Sequence, residues 1–362
     1  MRSAIPRVWI FAAAFAAFAA FAAFAAFAAG IAPAAAAESD SAEVVARRLA
    51  FAEEAGSRVE AKPSVRGDDR DWFFLVKELR HLAAGRFWEK PRDTEPASGE
   101  GPVPGILEFR ELLEARGVRL LLVPVPAKAA IYPEKLAAEF RRGDAEPLAP
   151  FLNLLREGGV EVLDLEPVFL ETVTTTPDTL LYCRQDAHFS PLAAKKVAER
   201  IAERLALSGT GASDAILGGE REDLTISGDQ VVGSEWDGSI PGETLPVQKV
   251  TTAAGGPVEP DSGSSVLLLG DSHTLVFQAG EENGMHCRGA GVFDHLAFCL
   301  GSAPDLVGVR GSGLVQARKQ LFYRASAAPG YWENKKAVIW LFSAREFTQS
   351  TDRPGLIPLD RP

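Results

Sequence analysis

Val266-Leu267-Leu268-Leu269-Gly270-Asp271-Ser272-His273 runs from four apolar residues through a glycine to a hydroxyl flanked by a carboxylate and an imidazole. A continuous apolar run is what a strand buried on both faces requires, because each face must pack against hydrophobic neighbours. Such strands belong to parallel sheets covered by helices on both sides. The stretch therefore reads as strand, sharp turn, and Ser272 at the tip. In open α/β sheets ligands bind beyond the carboxyl ends of the strands. One octapeptide thus points to both a fold class and a place for the chemistry.

Working outward, the same alternation recurs. Ile106 to Arg116 has apolar residues at helical spacing and is closed by Gly117, and Val118 to Val125 is a nearly continuous apolar run. Leu148 to Glu157 reads as a second helix, closed by Gly158-Gly159, with a strand from Val160 to Leu165. Leu180 to Cys183 is a short apolar run. Ser190-Pro191 opens a helix to about Leu207, with Ser as N-cap and Pro in the first turn. A helix near Gly313 to Arg324 precedes a last strand, Lys336 to Phe342. This pattern predicts an α/β fold, a mostly parallel sheet flanked by helices. Asp71 to Val76 is an aromatic strand candidate, and residues 91–104 read as a loop. Between Gly209 and Gly263 the pattern breaks into Gly, Asp, Ser, Thr and Pro, with β-like pieces at Gln230–Val232 and Val247–Thr251, so residues 209–263 read as an insertion of loops and small strands.

A second cluster, Asp186-Ala187-His188-Phe189-Ser190, follows the short run at Leu180–Cys183. With the first cluster it contains every part of a Ser-His-Asp acyl-transfer site. Ser272 is the candidate nucleophile, and its hydroxyl needs a base within hydrogen-bond reach. His188 is the candidate base, since an imidazole titrates near neutral pH. Asp186 would orient the ring and offset its charge. The backbone N–H groups of Ser272 and His273 are candidates to hold an oxyanion. Pro124 to Lys128 and Ser343 to Glu346 also follow strands, which brings Lys128, Asp271, His273 and Arg345 to the same edge as supporting or substrate-binding residues. Plainer readings exist for each: Ser272 as an N-cap, His188 as a hydrogen-bonded histidine at a helix entrance, Asp186 as a turn residue. Because Asp186-Ala187-His188 and Asp271-Ser272-His273 are both Asp-x-His, a metal site with oxygen and nitrogen ligands is a rival. A Cys183–His188 thiol pair is a weaker one. His286 and His295 fit no spacing and read as surface or packing residues.

The N-terminus is a targeting segment. Arg2 and Arg7 precede an uncharged stretch from Val8 to Ala32, mostly repeated Phe-Ala-Ala, and Ala35-Ala36-Ala37 offers a small-residue cleavage pattern before Glu38. The apolar stretch exceeds a signal core of roughly 7–15 residues and reaches the length of about 20 that spans a bilayer, so residues 1–37 are a cleaved signal or an N-terminal anchor. Either way the remainder faces a non-cytoplasmic compartment. Residues 38–66 form an Ala/Glu/Arg-rich lead-in, 67–350 the main domain, and 351–362 a tail. The net charge of −11 argues against nucleic acid as partner. Of three cysteines, Cys287 and Cys299 are near enough in sequence to pair in an oxidising compartment, leaving Cys183 free; three unpaired thiols is the other reading. There is no phosphate loop or nucleotide fingerprint, and no cofactor is expected.

These residues resemble a known family, the exported alginate O-acetyltransferases of the AlgX/AlgJ type in the SGNH-hydrolase superfamily. The likeness runs from about Asp71 to Phe347. It rests on Val118 through Pro126-Ala127-Lys128 with Tyr132-Pro133, on Asp186-Ala187-His188-Phe189, on Gly270-Asp271-Ser272, and on Val338 to Arg345. The Asp-x-His pair precedes the serine, the reverse of ordinary SGNH esterases, as in that family. His273 departs from the aromatic residue often found there. Little chain follows Arg345, so the shorter, membrane-anchored form is the nearer likeness. The resemblance implies a periplasmic enzyme that moves an acetyl group through an acyl-serine onto an exopolysaccharide hydroxyl, with a membrane protein as acetyl donor. A carbohydrate acetyl esterase, a metal-dependent hydrolase and a non-catalytic polysaccharide-binding protein are the alternatives. Lys195, Lys196, Arg200 and Arg204 could attract a polyanion, or form an ordinary solvated helix face.

Overall fold

A computed structural model describes residues 40–89, 102–206, 215–350 and 357–361. Val44–Pro362 forms one compact unit, and among the described residues it contains every strand and both site clusters. The segment read as signal or anchor, most of the 91–104 loop and most of the tail lie outside the described residues. Among the described residues no helix is long and apolar enough to cross a membrane.

The strands in chain order are β1 (Ser64–Arg66), β2 (Phe73–Leu75), β3 (Arg119–Val125), β4 (Glu161–Val162), β5 (Ile216–Ile226), β6 (Glu243–Thr252), β7 (Val266–Gly270), β8 (Asp305–Gly308) and β9 (Ala337–Ser343). Five of them form one sheet in the order β4-β3-β9-β7-β8, every pair parallel. The last strand in sequence therefore lies at the centre. All seven residues of β9 are buried, as are all five of β7, which explains their uninterrupted apolar character. Successive side chains point to opposite faces. Leu268, Ile339 and Leu341 pack on one side with the helices Pro191–Arg204 and Val292–Leu300. Leu267, Leu269, Val338 and Trp340 pack on the other with Pro102–Glu114, Ala149–Glu157 and Val315–Ala327. Each large apolar side chain so buried contributes about 1.5–3 kcal/mol before conformational entropy is counted against it.

Register fixes the working edge. Val125 of β3 pairs with Ser343 of β9, and Gly270 of β7 with Leu341. The three strands thus end within two residues of one another, and the segments after them share one rim. Gly270 is required at this point: a Cβ there would lie 1.8 Å from the Leu341 carbonyl oxygen.

Several expectations change. Leu180–Cys183 is not a strand of the sheet; Tyr182 and Phe189 form an isolated antiparallel bridge that pinches the Asp186 loop. The strand expected at Val160–Leu165 shrinks to β4. In the insertion, Gln230–Val232 is a turn, and the partner of β6 is β5, a strand too polar and too exposed to show an apolar pattern. All three cysteines are free thiols.

Candidate active site

Asp271 follows β7 with an extended backbone, and Ser272–Thr274 form a single 3₁₀ turn. Asp271 shapes that turn. Its Oδ1 accepts the His273 backbone N–H at 2.9 Å and faces His273 Nδ1 at 3.0 Å, while its Oδ2 accepts the Ser343 N–H at 2.8 Å. The β7 and β9 ends are thereby tied together behind the serine. Burial would raise the Asp271 carboxyl, but His273 and Arg345 overcome this and hold it well below the usual carboxylate range. One expectation is corrected here: the His273 N–H is spent on Asp271, so it is not free for an oxyanion. Among the described residues no hydrogen bond involves the Ser272 N–H.

Ser190 caps the following helix by accepting the Ala193 N–H, which anchors the C-terminal side of the Asp186 loop. Within that loop His188 Nδ1 lies 2.6 Å from Asp186 Oδ1, and His188 Nε2 lies 2.7 Å from Ser272 Oγ. An ionised carboxylate only accepts, so Nδ1 carries the proton and Nε2 of the neutral ring faces the hydroxyl. Burial would lower the His188 pKa, but the adjacent Asp186 carboxylate overcomes it and pushes the ring up to about 9. Burial pushes Asp186 the other way from its partners, and the histidines beside it hold it well below the ordinary range. Ser272 and His188 are each 8% exposed, a narrow opening to solvent. The row from Asp186 through His188 to Ser272 can pass a proton away from a hydroxyl that attacks an acyl carbon.

The other sequence-level candidates stand behind this row. Lys128 is buried, and its Nζ donates to the carbonyls of Arg184 and Asp186, so it supports the loop rather than facing Ser272. Arg345 is buried with Nη1 3.9 Å from Glu78 Oε1. His273 packs edge-on against His188, ring centroids 4.9 Å apart. The two Asp-x-His pairs do not pool their ligands. His188 is committed to Asp186 and Ser272, and Asp271 to His273 and Ser343. Asp186, His188 and Asp229 do lie close enough together to share an ion, but two of these three are the members of the proton-passing row. The Lys195–Arg204 face is a solvated one: Lys195 reaches Gln248, Arg200 pairs with Glu203, and Arg204 with Glu161.

Sequence reasoning missed four contributors. Glu243, fully buried on β6, accepts the N–H groups of Arg184 and Gln185 at 2.9 and 2.8 Å. Asp229 accepts the Ala187 N–H at 2.8 Å and brings Oδ2 to 3.9 Å from His188 Nδ1. His286, read as surface or packing, reaches Asp186 Oδ2 at 2.9 Å. Glu78 sits beneath Lys128 and Arg345. None carries a motif: Glu78 and Glu243 are marked only by their burial and Asp229 and His286 only by their contacts, and both are tertiary properties.

Comparison with known proteins adds an independent line. Residues 65–280 match the family described as the SGNH hydrolase-like domain of acetyltransferase AlgX. The probable alginate O-acetylase AlgJ of Pseudomonas aeruginosa is 30% identical over 144 residues, 39% of this chain and 33% of that protein. The chain thus matches about a third of the length of that relative. The O-acetyltransferase domain of Pseudomonas putida AlgJ superposes with a TM-score of 0.57 at 21% identity, over 80% of this chain and 93% of that one. Pseudomonas aeruginosa AlgX gives 0.53 at 19% identity, over 84% and 69%. At these identities the structural likenesses bear on the fold.

Proposed function

The chain belongs to the SGNH hydrolase-like family of acetyltransferase AlgX, and on that premise we propose that it is an exported O-acetyltransferase acting on an alginate-like exopolysaccharide through an acetyl-serine. The observation that carries this reading is the unbroken row from Asp186 through His188 to Ser272, with spacings of 2.6 and 2.7 Å, at the carboxyl rim of the sheet.

In the proposed cycle His188 Nε2 takes the Ser272 proton as Oγ bonds to the acetyl carbonyl carbon. The tetrahedral oxyanion faces the Ser272 N–H. As the bond to the donor breaks, His188 returns the proton to the leaving oxygen, and the acetyl group stays on Ser272. A sugar hydroxyl then gives its proton to His188 and attacks the acyl carbon. Ser272 leaves, recovers the proton, and the sugar ester departs. Water is far more concentrated than any sugar, so transfer prevails only where the acceptor is held in attack geometry and water is excluded. The narrow opening above Ser272 supports that requirement. The acetyl donor is proposed to be a membrane protein, and the N-terminal segment a signal or anchor that delivers the domain beyond the cytoplasmic membrane.

The test is incubation with an artificial acetyl ester, with and without oligosaccharide acceptors. Slow acetate release alone, and diversion of acetyl to an oligouronate when one is added, is the expected result. Ser272→Ala should remove at least about 10⁴-fold of donor turnover with the fold intact. Fast hydrolysis that no glycan alters would make the protein an esterase, and loss of activity to chelators with Ser272→Ala active would replace the acyl-serine by a metal.

A further inference from the structure

Asp186 carries more donors than one orienting contact needs. Its Oδ1 accepts from the His188 backbone N–H at 2.9 Å and from His188 Nδ1 at 2.6 Å. Its Oδ2 accepts from the Asp229 N–H at 3.0 Å and from His286 Nε2 at 2.9 Å. An ionised carboxylate offers about four lone-pair sites, and here each has a donor. Two donors are backbone amides and one is the proposed base. The fourth, His286, comes from a distant part of the chain.

Its delivery is conformationally expensive. His286 has φ +68° and Phe277 φ +58°, a left-handed conformation that non-glycine residues hold only where their surroundings enforce it. The two residues sit on opposite arms of one tight loop. The Phe277 N–H donates to the Met285 carbonyl at 2.9 Å, and Gly280 bridges Met285. The Phe277 ring lies against the His286 ring, centroids 5.2 Å apart. Two unfavourable backbones thus brace each other and present one imidazole to one carboxylate.

Asp186 also has a competitor, since Asp229 Oδ2 lies 3.9 Å from His188 Nδ1. A carboxylate free to rotate would share the imidazole with it. We propose that His286 is a positioning residue for acyl transfer: its Nε2–H holds Asp186 in the one rotamer that turns Oδ1 to His188. This rests on the reading of Ser272, His188 and Asp186 as the reacting row. The charged or titratable groups facing the His188–Asp186 pair are Lys128 from the segment after β3, Cys183 from the arm leading into the loop, Asp229 from the turn after β5, Asp271 and His273 from just after β7, and His286 itself. Removing the His286 donor leaves Asp186 more basic, so His188 holds its proton to higher pH.

The experiment measures labelling of Ser272 by a sulfonyl fluoride against pH, read by intact mass, in the wild type, His286→Phe, His286→Gln, Asp186→Asn and Ser272→Ala. Phe keeps a ring against Phe277 but offers no donor; Gln keeps an N–H where Nε2 was. His286→Phe should slow labelling about tenfold to a hundredfold, the worth of one hydrogen bond to a charged group, and move the pH limb upward. His286→Gln should recover most of the rate and the wild-type limb. If His286→Phe does not fold, His286→Asn, whose shorter amide stops short of Oδ2, takes its place. Wild-type rate and limb in the donor-less variant overturn the proposal, as do equal losses in both variants with unmoved limbs. Labelling that survives Asp186→Asn and Ser272→Ala overturns the reacting row, and this proposal with it.

Discussion

The Lys128 ammonium lies 2.9 Å from the carbonyl oxygen of Asp186 and 3.1 Å from that of Arg184. A residue that the sequence brings to the rim thus turns inward and holds the backbone of the loop that carries the proposed base. Burial lowers the Lys128 pKa, with Glu243, Cys183, Glu78 and Asp186 opposing. Lys128→Met keeps the stem and removes the donors: the Arg184 carbonyl keeps the Phe73 N–H at 2.9 Å, while the Asp186 carbonyl loses the ammonium that bonds it. It should destabilise the protein by about 2–4 kcal/mol and slow acetyl transfer, read by urea unfolding alongside ester turnover.

The elevated His188 pKa gives a signed pH dependence. The base must be neutral to accept a proton, so ester turnover should fall as pH drops below about 9 and level off above it. Asp186→Asn removes the charge that raises the ring. Its limb should move down toward the ordinary imidazole range while the plateau drops by about 10³–10⁴. The charged pair also stabilises the fold. That contribution is complete below the unfolded imidazole value of about 6.5 and is lost as pH rises through about 9, so thermal unfolding should show a wild-type loss over this window that Asp186→Asn lacks.

Gly228 meets the Asp186 loop without a side chain between them. A Cβ at this position would lie 2.1 Å from the Gln185 carbonyl oxygen and 2.6 Å from the Asp186 nitrogen. Backbone cannot yield as a flexible side chain does. Gly228→Ala should separate Asp186 from the Asp229 N–H and cost at least about tenfold in turnover, with circular dichroism unchanged. Wild-type turnover in this variant would show that the loop tolerates displacement.

A net charge of −11 opposes a carboxylated acceptor. Raising ionic strength from about 0.01 to 0.15 M shortens the screening length from roughly 30 to 8 Å and should lower KM for an oligouronate, with KM for a neutral acetyl ester unmoved. A rise in acceptor KM with salt would point instead to a local basic subsite.

Legibility in the chain follows the physics of each element. β3, β7 and β9 announce themselves because strands buried on both faces must be apolar throughout. The helix after Ser190 is readable from its cap and proline. β5 is not, because only its two ends are buried and most of it faces solvent. Tyr182 and Phe189 resemble the flanks of a strand end; their bridge is a contact between neighbours around a loop, which leaves no periodic trace.

The chain alone specifies the alternation of buried strands and helices, and with it the rim where Ser272 must stand. It also placed Asp186 two residues before His188, a local spacing that lets a carboxylate reach Nδ1 of the same loop. Tertiary structure decided what surrounds them. The central place of β9, the turning inward of Lys128 and Arg345, the loss of the His273 N–H to Asp271, and the arrival of Asp229 and His286 on the Asp186–His188 pair all depend on contacts between distant segments. Such contacts follow from how buried polar groups find partners once the core has closed, and a single chain records no period or spacing for them.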